Sequence, residues 1–175
     1  MADLSTKLFG TTLPYPFVLA SGPLSYDAEG LWNAYRAGAG AVTTKTLRLE
    51  RAINPTPHMV LPRSSNLRST LFNTEKWADL TWQHWVEVEL PRMKGHPGAL
   101  IASIGHTQPE AETITEPVAA TGVVDAIECV AYGMNTLVPM VRAIRERTDL
   151  PTLAKLTFNW GDELYRAAEA ALEAG

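Results

Sequence analysis

The chain has 175 residues, of which 46% are hydrophobic and 19% charged, with a formal net charge of −4. That length supports one domain with a core of its own. The charge balance excludes a broad basic footprint for nucleic acid or an anionic membrane. Arg142, Arg145 and Arg147 are interrupted by Glu146 and Asp149 and read as one solvated helix face. Cys129 is the single cysteine. It cannot form an intramolecular disulfide and speaks against a cysteine-based zinc site, so no metal site is expected. A lone thiol fits a reducing compartment. Met1–Leu8, with Asp3, Ser5 and Lys7, is unlike a secretory leader. No stretch approaches the ~20 apolar residues that span a bilayer. The expectation is a cytoplasmic protein.

In chain order, the run Phe17-Val18-Leu19-Ala20, entered through Pro14 and Pro16 and closed by Ser21-Gly22-Pro23, predicts a buried strand and a tight loop. Leu31, Ala34, Tyr35 and Ala37 recur near helical spacing, which predicts a helix over Ala28–Ala37, ended at Gly38 and Gly40. Ala41–Thr44 is the next strand and runs into Lys45-Thr46. Residues 47–98 then break the rhythm. Their first half, with Pro55, Pro57 and Pro62, reads as an irregular loop up to Asn73. The second half, Leu80–Met93, holds Trp82 and Trp85 and reads as helical. A connection this long inside a compact domain points to function.

Alternation resumes with strand Ala99–Ile104 and helix Pro109–Thr121, strand Val123–Val130 and helix Thr136–Thr148, strand Thr152–Leu156 and helix Asp162–Ala174. These make five βα units. Nearly continuous apolar strands are the mark of a parallel sheet covered by helices. Two architectures compete. A doubly wound sheet of about five strands would use the whole length, whereas a (β/α)8 barrel needs roughly 250 residues. The polar residues Ser21, Lys45, Ser103, His106 and Lys155 gather just after the strands, and no GxGxxG or Walker loop is present, which favours the barrel.

Three pieces decide the reading. Leu19-Ala20-Ser21-Gly22-Pro23-Leu24-Ser25, Ala37-Gly38-Ala39-Gly40-Ala41-Val42 and Thr44-Lys45-Thr46 resemble the opening of a dihydroorotate dehydrogenase. Arg51, Asn54-Pro55 and Pro57 are similar to that family's segment after its lysine, and Ile127-Glu128 and Ala154-Lys155-Leu156 to its fourth and fifth barrel strands. The segment Asn73–Leu90 is similar to the pyrimidine-reducing dihydropyrimidine dehydrogenases of the same superfamily. The resemblance covers nearly the whole chain. It implies a (β/α)8 TIM barrel with about the first five βα units present over residues 1–175, the insertion at about 47–98 included.

The same resemblance implies FMN at the carboxyl ends of the strands, and a reaction at a CH–CH bond of a pyrimidine-like small molecule. Ala20, Ser21 and Gly22 would pass their backbone under the flavin ring, where small residues permit close approach. Lys45 and Thr46 would contact the ring, and Lys155 its polar edge, where a cation stabilises the reduced anionic flavin. Lys45 and Asn73 would bind substrate, with Asn66 competing for the asparagine's role. His106 and His58 read as surface residues.

Two departures follow. Where the family has an asparagine and then a cysteine or serine base, this chain has Val130 and Gly133. Cys129 lies four positions early and is the candidate catalytic residue, with Tyr132 or a water as substitutes. Strands six to eight, and with them the family's phosphate site, are missing, while Gly175 looks like a helix C-cap leading into a further strand. The expectation is a homo-oligomer or a second chain completing the barrel, and no nucleic-acid or membrane partner. The alternative is a degenerate or split barrel subunit that serves assembly without catalysis.

Overall fold

The computed structural model describes residues 2–61 and 70–175. Pro62 and Asn66 lie outside the described residues. The chain opens on a hairpin, β1 (Thr6–Leu8) and β2 (Thr11–Leu13), turned at Phe9 and Gly10. Leu13 is buried against Ala41 and Ala99, so the hairpin covers the amino-terminal end of the sheet.

β3 (Val18–Leu19) leads through the Ser21–Pro23 turn into α1 (Ala28–Arg36). Asp27 caps α1: its Oδ1 accepts from the Gly30 N–H at 2.8 Å, filling one of the donors a helix start leaves open. Gly38, at φ 101°, closes the helix in a conformation a side chain would resist. β4 (Ala41–Thr43) follows. A Cβ on Gly98 would lie 2.0 Å from the Gly40 carbonyl oxygen, so glycine is what lets the chain pass Gly40 on its way into the neighbouring strand.

The described parts of the 47–98 segment hold more regular structure than the sequence suggests. β5 (Met59–Val60) pairs antiparallel with β6 (Phe72–Asn73). α2 (Trp82–His84) starts at Thr81, whose hydroxyl accepts from the His84 N–H. The helix expected over Leu80–Met93 is broken: after α2 it widens to a π turn, Trp85–Glu89, with Leu90 N–H reaching the Trp85 carbonyl, and tightens to a 3₁₀ turn at Pro91–Met93. Pro91 supplies no N–H to continue an α-helix. The segment is anchored by Trp85, fully buried, and by Glu89, which accepts from the Ala28 N–H at 2.9 Å at the start of α1.

β7 (Ala99–Gly105), α3 (Gln108–Ala120), β8 (Ala126–Val130), α4 (Met134–Arg145), β9 (Thr152–Lys155), a 3₁₀ stretch Phe158–Glu163 and α5 (Leu164–Ala174) complete the chain. The five core strands form one parallel sheet in the order β3-β4-β7-β8-β9. The order never reverses, which removes the doubly wound alternative. Right-handed crossovers in an unreversed order place every helix on one face. Val42, Leu100, Ala102, Ile104, Ile127 and Cys129 face that helical layer and form the main core with Leu31, Ile114, Leu137 and Ile144. The fold is thus α/β, a five-stranded parallel sheet alternating with helices. Among the described residues, no helix is long and apolar enough to cross a membrane.

Candidate functional site at the carboxyl ends of the strands

A cleft of about 580 Å³ opens at the carboxyl ends of the strands. That lies within the usual range for small-molecule sites. The turn after β3 contributes Ser21 and Gly22, and the chain after β4 contributes Lys45, Thr46 and Arg48. Asn73, Glu75 and Trp77 come from the long insertion, His106 from the residue after β7, and Tyr132, Lys155 and Thr157 from the ends of β8 and β9.

The insertion reaches the cleft because its return limb is fastened to the continuation of β4. Ala78 N–H donates to the Thr46 carbonyl at 3.0 Å, and Ala52 N–H to the Ala78 carbonyl at 2.7 Å. Trp77 donates its indole N–H to the Glu50 carbonyl at 2.8 Å, and the Arg48 guanidinium lies 4.5 Å over its ring. Asn73 Oδ1 accepts from the Glu75 N–H at 2.8 Å and so sets the turn that carries Glu75 inward.

Lys45 is buried with Glu75. Its Nζ lies 2.5 Å from Glu75 Oε2, with side chains 5% and 4% exposed. Glu75 Oε2 has no hydrogen bond of acceptable direction among the described residues, so this contact is a charge contact. His58 Nε2 lies 3.8 Å from the other carboxylate oxygen. Below the lysine, the Thr46 hydroxyl sits between Ser21 Oγ at 3.1 Å and Ser103 Oγ at 3.0 Å. At the far wall, Lys155 Nζ is 3.8 Å from Glu128 Oε1.

A second ion pair closes the β7 side. Arg48 grips Glu110 with Nε at 2.6 Å from Oε1 and Nη2 at 3.2 Å from Oε2. Glu110 also accepts from the His106 N–H and, at 2.9 Å, from the Thr107 hydroxyl. Burial pushes the Glu110 carboxyl up, but these donors and the Arg48 charge together hold it below its ordinary value. His106 is not a surface residue. It is half-buried in the cleft, with Nδ1 3.1 Å from the Val130 carbonyl oxygen and its ring 4.7 Å from that of Tyr132. Burial lowers its pKa, and Arg48 adds to the effect against the Val130 carbonyl and Glu110.

Of the residues singled out from the sequence, Ser21, Gly22, Lys45, Thr46, Lys155 and Asn73 line this one cleft. Ala20 is exposed and is not among the lining residues. Cys129 is not there either. It is fully buried in the helix-facing core, and burial, with the Glu128 charge adding, pushes its thiol up to about 12. A thiol so placed packs as a small hydrophobe and is held in its protonated form. His106, Glu75 and Arg48 also line the cleft and were not among the candidate site residues. The only sequence signal for His106 was its place directly after a strand. Among the described residues, no group of three His, Cys, Asp or Glu side chains could hold a metal ion.

The chain is 31% identical to the dihydroorotate dehydrogenase B (NAD(+)) catalytic subunit of Pyrococcus abyssi, an alignment covering 96% of this chain and 59% of that protein. The corresponding subunit of Thermococcus kodakarensis is 30% identical, with 100% of this chain and 60% of the relative covered. The resemblance read from the sequence stands. The NAD-dependent dihydropyrimidine dehydrogenase subunit PreA of Escherichia coli K12 is also 30% identical, over 99% of this chain and 46% of its own length. The chain therefore spans less than two thirds of these relatives. No protein-family model matches it.

Proposed function

We propose that the chain is part of an FMN-dependent oxidoreductase of the dihydroorotate and dihydropyrimidine dehydrogenase type, acting on a CH–CH bond of a pyrimidine-like substrate. The observation that carries this reading is the convergence of Lys45, Lys155 and the Ser21-Gly22 turn, from three separate strands, on the cleft at the carboxyl ends of the sheet. The similarity to the two groups of dehydrogenase subunits supports it.

The residues present suit a flavin ring. A Cβ on Gly22 would meet only the Ala20 carbonyl oxygen, at 3.8 Å, so the turn presents bare backbone to the cleft. The Thr157 hydroxyl lines the cleft and is buried without a partner among the described residues, as a polar group awaiting a ligand would be. Bound FMN would supply the hydride-accepting centre. Lys45, Thr46 and Ser21 would fix the ring's edge, Lys155 would place a positive charge beside it, and Asn73 would offer its amide nitrogen to substrate. The unreversed sheet supports a (β/α)8 barrel, whose remaining strands a further length of polypeptide or a second chain would supply, as either a homo-oligomer or a split subunit.

Reconstitution is the test. The protein purified together with the polypeptide that supplies its remaining strands and incubated with FMN should retain yellow flavin absorbance after gel filtration, and a dihydropyrimidine should bleach it anaerobically. A protein that stays colourless refutes the reading. The core placement of Cys129 favours a second reading, a barrel subunit with an assembly role and no chemistry of its own. Such a subunit would bind flavin weakly or not at all, and would sediment as an oligomer or a complex.

A further inference from the structure

The proposed reaction removes a proton from a ring carbon beside a carbonyl, and the chain's single thiol lies in the core. Among the described residues, the cleft is lined by one imidazole, that of His106. Its geometry fixes its chemistry. A carbonyl oxygen only accepts, so the 3.1 Å contact between Nδ1 and the Val130 carbonyl puts the ring's hydrogen on Nδ1. Half-burial disfavours a second proton. The lone pair is therefore on Nε2, which has no hydrogen-bonding partner among the described residues. The ring is held from several sides. The backbone N–H of His106 is tied to Glu110, the imidazole lies 4.7 Å from the Tyr132 ring, and the Trp77 ring stands edge-on at 6.2 Å.

The charges around it are accounted for. Arg48 and Glu110 face the imidazole but are spent on each other through two hydrogen bonds, and Tyr132 is the titratable group beside the ring. Further round the cleft, Lys45 is paired with Glu75, and Lys155 lies 3.8 Å from Glu128. Neither Arg48 nor Glu110 is left to protonate or deprotonate the imidazole.

We propose that His106 is the catalytic base of this site, taking over the proton transfer for which Cys129 is misplaced. Nε2 accepts the proton from the substrate carbon adjacent to the carbonyl. That C–H bond breaks, its electron pair passes into the carbonyl as an enolate, and the imidazole becomes imidazolium. In the reducing direction the imidazolium returns the proton. Tyr132 is a positioning residue, packing the ring in the orientation that the Val130 carbonyl sets. The inference rests on the oxidoreductase reading above.

Two measurements test it. The first follows exchange of the ring C–H next to the carbonyl of dihydrouracil in deuterium oxide, by proton NMR, with FMN-loaded wild type, His106→Gln and His106→Asn. Wild-type exchange should rise with pH and level off once the imidazole is neutral. Both variants should slow it by about 10²–10⁴-fold and lose the pH-dependent limb, with flavin absorbance and melting temperature kept. The second is nitrogen-15 NMR of the histidine ring in protein without flavin, where Nδ1 should carry the hydrogen and Nε2 the lone pair at neutral pH. Exchange at the wild-type rate in both variants, or a protonated Nε2 at neutral pH, overturns the assignment. If flavin binds and substrate turns over while the variants match wild type, His106 alone is refuted. If no flavin binds and no substrate reacts, the oxidoreductase reading falls and His106 falls with it.

Discussion

Replacing Glu75 by glutamine strips the Lys45 ammonium of its counter-charge while leaving the side chain's volume in place. The two charges are 2.5 Å apart and almost wholly withdrawn from solvent. At an effective dielectric of about 20, their direct attraction is about 7 kcal/mol. Desolvation of both groups offsets much of this, and breaking such a buried pair from one side costs about 3–5 kcal/mol, because the remaining charge stays buried alone. His58 cannot compensate, since it is 3.8 Å from the other carboxylate oxygen, partly exposed, and a cation if anything. Glu75→Gln should therefore lose about 3–5 kcal/mol in urea unfolding at unchanged slope, and about 10 °C in Tm. Lys45→Met should cost a similar amount by stranding the carboxylate. The double variant should cost clearly less than the sum, with a coupling energy above about 2 kcal/mol. A Glu75→Gln protein within about 1 kcal/mol of wild type, with no coupling in the cycle, would refute the view that this pair holds the insertion over the cleft.

Cys129 should be inert to a thiol reagent in the native protein, even at mildly alkaline pH, and should react fully once the chain is unfolded; its thiol is buried and shifted up to about 12. Glu110 should contribute acid sensitivity. Its carboxyl is held below the ordinary value, so the stabilisation is complete above the unfolded-state value and is lost as pH falls through the lowered one. Arg48→Met should flatten that acid limb of a urea-midpoint-against-pH curve, and an unchanged limb would place the acid sensitivity elsewhere.

The three inner strands were legible because they are buried on both faces or nearly so: β7 is buried along all of Ala99–Gly105 and reads as an unbroken apolar run. The edge strands were legible from their apolar runs alone, for β9 is only partly buried and β3, expected as a buried strand, leaves Val18 exposed. The amino-terminal hairpin was not. Its turn places Phe9 at φ 52°, where the usual signal is asparagine, aspartate or glycine, and only Gly10 beside it fits that chemistry. The insertion misled in the other direction. Helical spacing of its apolar residues from Leu80 to Met93 is real, but a π turn at Trp85–Glu89 and the missing donor at Pro91 break one helix into three short turns.

The site was legible where it depends on strand ends and illegible where it depends on side chains meeting across elements. Lys45 and Lys155 stand at the ends of predicted strands, so their shared cleft follows from parallel strands running in one direction. Glu75 meets Lys45 from 30 positions away through a turn that Asn73 sets, and no local pattern carries that information. Arg48 and Glu110 are 62 residues apart.

The case of Cys129 turns on parity within β8. Successive side chains of a strand point to opposite faces. In the register with β7, Ser103 pairs with Glu128 and Gly105 with Val130, and β9 sets Lys155 beside Val130. Val130 and Lys155 line the cleft, so Glu128 shares their face and Cys129 must take the other, under the helices. Bringing the thiol to the cleft would need a one-residue slip of β8. That slip would turn Glu128 into the core and Ile127 out of it, inverting every side chain on the strand. Side chains on the helix-facing parity of β8 are thus kept from this mouth, whereas residues just beyond the strand ends are released from alternation. His106, one residue past Gly105, is such a position, and the carbonyl that orients it belongs to Val130, the last residue of β8.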